Sequence, residues 1–100
     1  MQPYTVILSP EPNLGGYSAS CPAMPGAFGQ GQTREEALES IRAGMEAWLE
    51  AMAERGGGAL TETPELVARA LAAVLEDRAA EGWDLSIETA TVQPAIASAA

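Results

Sequence analysis

Apolar and polar positions along the chain switch between two periods, and the switches mark the elements. Tyr4 to Ser9 reads YTVILS, a β-branched and aromatic run closed by Pro10 and Pro12, which predicts a short strand. Asn13, Gly15 and Gly16 supply the turn. From Gly16 to Cys21, Tyr17, Ala19 and Cys21 alternate with Ser18 and Ser20, giving a hairpin partner with one buried and one wetter face. Pro22, Pro25 and Gly26 make a tight bend before a short, glycine-broken third strand over Ala27 to Gly31.

The period then becomes helical. Thr33 and Glu36 have the spacing of a capping box, the Thr33 hydroxyl covering the Glu36 amide and the Glu36 carboxylate reaching back to the Thr33 amide. Ala37, Leu38, Ile41, Met45, Trp48, Leu49 and Met52 fall within one stripe of roughly 120° on a helix running to about Glu54. Arg55 and the triplet Gly56, Gly57 and Gly58 stop it and form the most evident hinge. Thr63 as N-cap and Pro64 at the first helical position start a second helix. Its stripe is Leu66, Val67, Ala70, Leu71, Val74 and Leu75, and it ends near Gly82. Leu85, Ile87, Thr89 and Thr91 then alternate with Ser86, Glu88 and Ala90 in a last strand up to about Val92, broken by Pro94. The predicted class is α+β in two layers. An antiparallel three-stranded meander carries a long helix, and a second helix and C-terminal strand follow in the order β-β-β-α-α-β. The last strand joins this sheet or that of a neighbouring subunit.

Composition narrows the function. The chain has 100 residues, room for a single small domain. Asp and Glu number 14 against 5 basic residues, all arginine, with no histidine, for a net charge of -9. Such a surface repels phosphate, so direct nucleic-acid binding is not expected and a basic partner is. The lack of histidine removes His-dependent nucleophilic catalysis and the commonest metal ligand. A single cysteine, Cys21, precludes an internal disulfide and reads as a small buried hydrophobe. No apolar run approaches the roughly 20 residues of a membrane span and no signal-peptide pattern opens the chain, so a cytoplasmic protein is expected.

The stretch from Gly15 to Ala37, GGYSASCPAMPGAFGQGQTREEA, carries the densest set of backbone-shaping residues: Gly16, Tyr17, Pro22, Pro25, Gly26, Gly31, Thr33 and Glu36. Turn chemistry of this kind fixes register, which makes the stretch scaffold. Tyr4 and Val6, Gly15 to Tyr17, Cys21 to Gly26 and Gly31 to Ala37, followed by Ile41 and the helix, resemble the HicB family of bacterial antitoxins and antitoxin-like proteins. The resemblance implies a β-β-β-α core similar to a partial ribonuclease-H-like fold without nuclease activity, and a small basic RNA-cleaving partner of the HicA kind. One domain over residues 1–92 follows, with the motif-bearing core in 4–54, a helix-strand extension in 63–92, and a frayed tail in 93–100. Many family members add a C-terminal DNA-binding segment. Here the second half is acidic, with Glu62, Glu65, Glu76, Asp77, Glu81, Asp84 and Glu88 against Arg69 and Arg78, and no recognition helix is evident.

Two functions remain. One is a non-enzymatic antitoxin-like module that masks the basic toxin and lacks a DNA-binding segment of its own. The other is an orphan accessory protein of the same fold, without a toxin partner, whose exposed edges and apolar patches are covered by further copies. Either way a homodimer or larger is expected, because a three-stranded meander with one helix buries little. Glu35, Glu39, Glu46 and Glu50 form the candidate docking face on the first helix, and a plain solvated surface is the alternative for the same residues. No cofactor or metal is expected, since the first three strands hold no Asp or Glu from which to build a carboxylate metal site. Trp48 belongs to the helix stripe, and Trp83 either covers the sheet edge or meets another subunit.

Overall fold

The computed structural model describes residues 3–95. Four strands and two helices follow in the predicted order: β1 (Tyr4–Pro10), β2 (Tyr17–Ser20), β3 (Phe28–Gly31), α1 (Arg34–Glu54), α2 (Pro64–Glu81) and β4 (Glu88–Val92). The class is α+β. All neighbours are antiparallel, in the order β3-β2-β1-β4, so the last strand joins the same sheet beside β1.

Being an inner strand explains the composition of β1. Val6, Ile7, Leu8 and Ser9 are all buried, so both faces of this strand are shielded and its run is continuous rather than alternating. Val6 and Leu8 enter the main core with Ala19, Cys21, Met24, Ala37, Ile41, Met45 and Val92. Ala37, Ile41 and Met45 are spaced i, i+4 and i+8, which lines one face of α1 along the sheet. Burying Ile41 and Met45 completely contributes about 1.5–3 kcal/mol each.

The Pro-rich bend is part of this core. Met24 N–H donates to Cys21 O and Ala27 N–H to Met24 O, both at 3.0 Å, and the two turns press Ala23, Met24 and Ala27 inward. Trp48 Nε1 donates to Pro25 O at 2.8 Å, fastening the bend to α1. Because Ala27 closes the second turn, β3 begins one residue later than its sequence suggests. Gly16 has φ +78° and its absent Cβ would lie 2.3 Å from Gly31 O, so both turn geometry and strand approach require glycine there.

The cap of α1 departs from the expected box in one bond. Thr33 Oγ1 accepts from Glu36 N–H at 3.1 Å, but Glu36 Oε1 accepts from Gln32 N–H, at 2.8 Å, instead of from Thr33. Gln30 N–H donates to Ser40 Oγ at 3.1 Å in the same way. Both amides face away from β2, so α1 supplies acceptors along the outer edge of β3 and closes that edge.

Helix α2 ends at Gly82, which takes the left-handed φ of +74°. Asp84 Oδ1 then accepts from Ser86 N–H at 2.7 Å, a bond that also holds the Asp84 carboxyl below its usual range. This side-chain turn removes residues 85–87 from the predicted last strand, which starts at Glu88. At the other end Pro94 is fully buried and Ala95 N–H donates to Glu46 Oε2 at 2.6 Å, so residues 93–95, assigned to a frayed tail, are held. Residues 96–100 of that tail lie outside the described residues.

Candidate functional site

The four glutamates singled out on α1 share one stripe, within about 60° at ~100° per residue. The structure divides them into two kinds. Arg42, on the same stripe, pairs with Glu39 through Nη2 and with Glu46 through Nη1, the latter at 2.7 Å, and Glu46 also takes the Ala95 amide. Glu39 and Glu46 are therefore engaged by their own chain. Glu35 and Glu50 are exposed, and among the described residues no side chain pairs with them. At ~1.5 Å per residue they stand about 22 Å apart along the helix.

Beside this stripe runs a groove of about 370 Å³ between α1 and β4, lined by Glu35, Leu38, Glu39, Arg42, Thr91, Val92 and Gln93. Its floor is apolar and its helix rim carries the charges. A second concavity, of about 260 Å³, lies at the hairpin end against Glu11, Leu14, Tyr17, Gln32 and Glu36. Among the described residues no three Asp, Glu or Cys side chains converge as a metal site. The chemistry available to this surface is recognition of positive charge.

The motif residues do structural jobs. Gly16, Tyr17, Pro22, Pro25, Gly26 and Gly31 shape the hairpin and bend, while Thr33 and Glu36 cap α1 and the β3 edge. Sequence reasoning missed Glu62. Its two carboxylate oxygens accept from Thr5 N–H at 2.7 Å and Thr5 Oγ1 at 2.8 Å, and Leu60 N–H donates to Ala23 O at 2.8 Å. These bonds pin the linker beside the half of β1 that β2 is too short to reach. Arg78 was also missed. It is 5% exposed, its guanidinium lies 5.7 Å from the Trp83 ring centroid, and its Nε donates to Asp84 O. Trp83 thus meets an arginine of its own chain.

Cys21 is buried, and burial pushes its thiol up from the ordinary range, partly offset by the Ala23 and Met24 amides. A raised folded value means that stability is fully present below the unfolded thiol pKa of about 8.5 and is lost as pH rises through the folded one. Urea midpoints are expected to fall between about pH 8 and pH 10, and to fall less in Cys21→Ala. Equal slopes in both proteins would show that Cys21 is not the titrating group.

The comparisons with known proteins agree with this architecture. Residues 4–95 match the family described as the HicB-like antitoxin of bacterial toxin-antitoxin systems. Over 49 residues the chain is 43% identical to the UPF0150 protein ssr1765 of Synechocystis sp., covering 49% of this chain and 61% of that one. It is 41% identical over 49 residues to the UPF0150 protein Ta0767 of Thermoplasma acidophilum, covering 49% of this chain and 70% of that one. Among solved structures, the N-terminal domain of Burkholderia pseudomallei antitoxin HicB superposes with a TM-score of 0.63 at 18% identity, over 95% of this chain and all of that one. A chain of the HicA3 and HicB3 toxin-antitoxin complex superposes with a TM-score of 0.61 at 14% identity, over 94% and 99% of the two chains. Such identities bear on the fold alone. Among the described residues no helix is long and apolar enough to cross a membrane. With the family pattern running from the first strand past the last, the chain belongs to the HicB-like antitoxin family.

Proposed function

We propose that this chain is a protein-binding antitoxin module that docks a small basic RNA-cleaving toxin of the HicA kind on the acidic side of α1. The observation that carries the proposal is the stripe itself: Glu35 and Glu50 stand exposed at its two ends, in a chain of net charge -9 that belongs to an antitoxin family. Long-range attraction speeds encounter with a basic partner, and the groove between α1 and β4 gives that partner an apolar floor beside the charges. The same charge disfavours DNA, so this segment works without contacting nucleic acid directly. Docking involves no catalytic step, and the protein acts where such a toxin acts, in the cytoplasm.

A second reading, self-association, is favoured by the state of α2. Its apolar stripe contains no fully buried residue, the only buried side chain of the helix being Arg78, while Leu60 and Leu85 stand about half exposed on either side of it. The two readings start from different elements, α1 for the toxin and α2 for a second copy.

Co-expression with the product of an adjacent basic reading frame, followed by size-exclusion chromatography, tests the antitoxin reading. Co-elution and relief of growth arrest are expected, and their absence overturns it. The docking face is tested by the pair Glu35→Lys and Glu50→Lys, which leaves the Arg42 pairs intact. Association is expected to slow roughly 10-fold at low salt and to converge with the parent at high salt. An unchanged rate removes α1 from the interface.

A further inference from the structure

The sheet has two edges, and the chain treats them differently. The β3 edge is closed by Ser40 and Glu36 of α1. Among the described residues the β4 edge has no strand beside it, and the register defines what it presents. Thr5 N–H points at Glu62, away from β4, so Thr5↔Thr91 and, two residues on, Ile7↔Thr89 are non-hydrogen-bonded pairs. The parity continues across the sheet: it turns Gln30 N–H outward on the far edge, where Ser40 accepts it. Hence the N–H and C=O of both Thr89 and Thr91 face outward from β4. Among the described residues nothing meets these four groups, and both threonines are exposed.

We infer that this edge pairs with the same edge of a second copy, β4 antiparallel to β4 of its partner about a two-fold axis through Ala90. This rests on the self-association reading and places a contact at the β4 edge in addition to the α2 stripe. The outward sequence Thr89-Ala90-Thr91 reads the same in both directions, as an isologous seam requires. Thr89 of one copy faces Thr91 of the other, twice, and each such pair exchanges two N–H···O=C bonds. Ala90 meets its counterpart at the axis, where a non-hydrogen-bonded pair brings Cα atoms to about 4.5 Å and a small side chain is needed.

The strand itself carries no free charge. The one charged residue of β4, Glu88, is neutralised by Arg34 of its own chain at 2.8 Å, and in this register it faces Val92 of the other copy. The strand is thus neutral in itself, the repulsion a second copy meets comes from the Glu35 and Glu39 carboxylates that line the groove beside Thr91, and it is the two-way Thr89-Ala90-Thr91 pattern that favours a second copy over a basic strand. The device that commonly protects an edge, an exposed lysine or proline along the strand, is missing from β4. The product is a continuous eight-stranded sheet with both α1 helices on one face. A seam this short falls below the ~800 Å² per partner of a standard interface, so dissociation is expected on the order of 10 μM. It tightens with salt, because screening reduces repulsion between two acidic chains, whereas salt weakens docking of a basic toxin.

Site-resolved amide exchange and sedimentation velocity on the full chain test the inference. The Thr89 and Thr91 amides are expected to gain protection as concentration rises from about 1 to about 100 μM, in step with a doubling of mass, while Ala90 and Val92 stay protected throughout by β1. Thr91→Pro removes an outward N–H without touching the β1 ladder, and is expected to weaken the dimer at least 10-fold with the far-UV spectrum retained. If that variant misfolds, amide protection in the parent chain still decides. A monomer at all concentrations overturns the inference and self-association together. Mass doubling without protection of the two amides overturns this seam alone, as does protection that appears only when a basic protein is added. Toxin co-elution is read in a separate experiment, so failure of the seam leaves the antitoxin reading standing.

Discussion

Gly29→Ala is expected to cost about 3 kcal/mol or to abolish the folded state, lowering Tm by roughly 12–24 °C in a domain of this size. A Cβ at Gly29 would lie 2.3 Å from Ile41 N and 2.7 Å from Ile41 Cα. The obstacle is helix backbone, so no rotamer change relieves it and α1 must lift from β3. Gly31 and Gly44 make the same kind of approach, with virtual Cβ distances of 2.5 Å to Glu36 Cβ and 2.7 Å to Phe28 O. Lifting α1 opens the seat of Ile41 and Met45, the largest buried side chains of the helix, and withdraws Ser40 and Glu36 from the β3 edge. The variant should therefore aggregate as well as melt early. Gly58→Ala is the control: nothing lies within 4 Å of its virtual Cβ, and it is expected to be neutral or up to about 1 kcal/mol stabilising. Thermal and urea melts of the two variants beside the parent check this, and a Gly29→Ala midpoint matching that of Gly58→Ala would show that the helix does not sit on the strand as described.

Periodicity carried most of the fold, because each element of this chain has a distinct pattern and a stop signal of its own. The hairpin, both N-caps and the glycine stops of both helices were legible in residues 4–82. What was not legible depended on distance through space. Glu36 caps Gln32 because the outer edge of β3 leaves that amide without a strand partner, and no local rule distinguishes this from the ordinary box. The glycine pair of β3 did hold a signal: Gly29 and Gly31, two apart, share a strand face, and a smooth face on a strand indicates backbone lying on it. The start of β4 was misplaced because Leu85 and Ile87 continue the alternation, while the Asp84 side chain turns the chain first.

The candidate site was legible as charge and only partly as geometry. The acidic stripe follows from helical spacing, and so does its internal neutralisation, since Arg42 stands three residues after Glu39 and four before Glu46. The ends of the stripe remain as its outward-facing charges. The groove beside it depends on where β4 lands in the sheet, which sequence left open between this chain and a neighbour. Glu62 looked like one more acid in an acidic half, and only the short reach of β2 makes it an acceptor for β1.

Glu62→Ala is accordingly expected to destabilise the chain by about 2 kcal/mol, the scale of losing two hydrogen bonds to a charged acceptor at a half-buried position. Other exposed acids of the second half, such as Glu65 or Glu81, are expected to change stability by less than about 0.5 kcal/mol when replaced by alanine. The loss has two parts, which a double-mutant cycle separates. Thr5→Val removes the hydroxyl but keeps the backbone amide, so it should cost less than Glu62→Ala, and the two together should cost less than their sum. Additive effects would mean that Glu62 does not act through Thr5. The consequence for architecture is local. With Glu62 gone, Leu60 N–H to Ala23 O remains as a backbone tie between the linker and the bend, and residues 61–63 beyond that tie no longer hold the start of α2 against β1. Amide protection should then fall across α2 while α1 and β1 to β3 keep theirs. Because β4 follows α2 in the chain, its pairing with β1 loosens next, so a dimer built on β4 should weaken in this variant although the substitution lies on the opposite side of β1. Uniform loss of protection over the whole chain would instead place Glu62 in the global core of the fold.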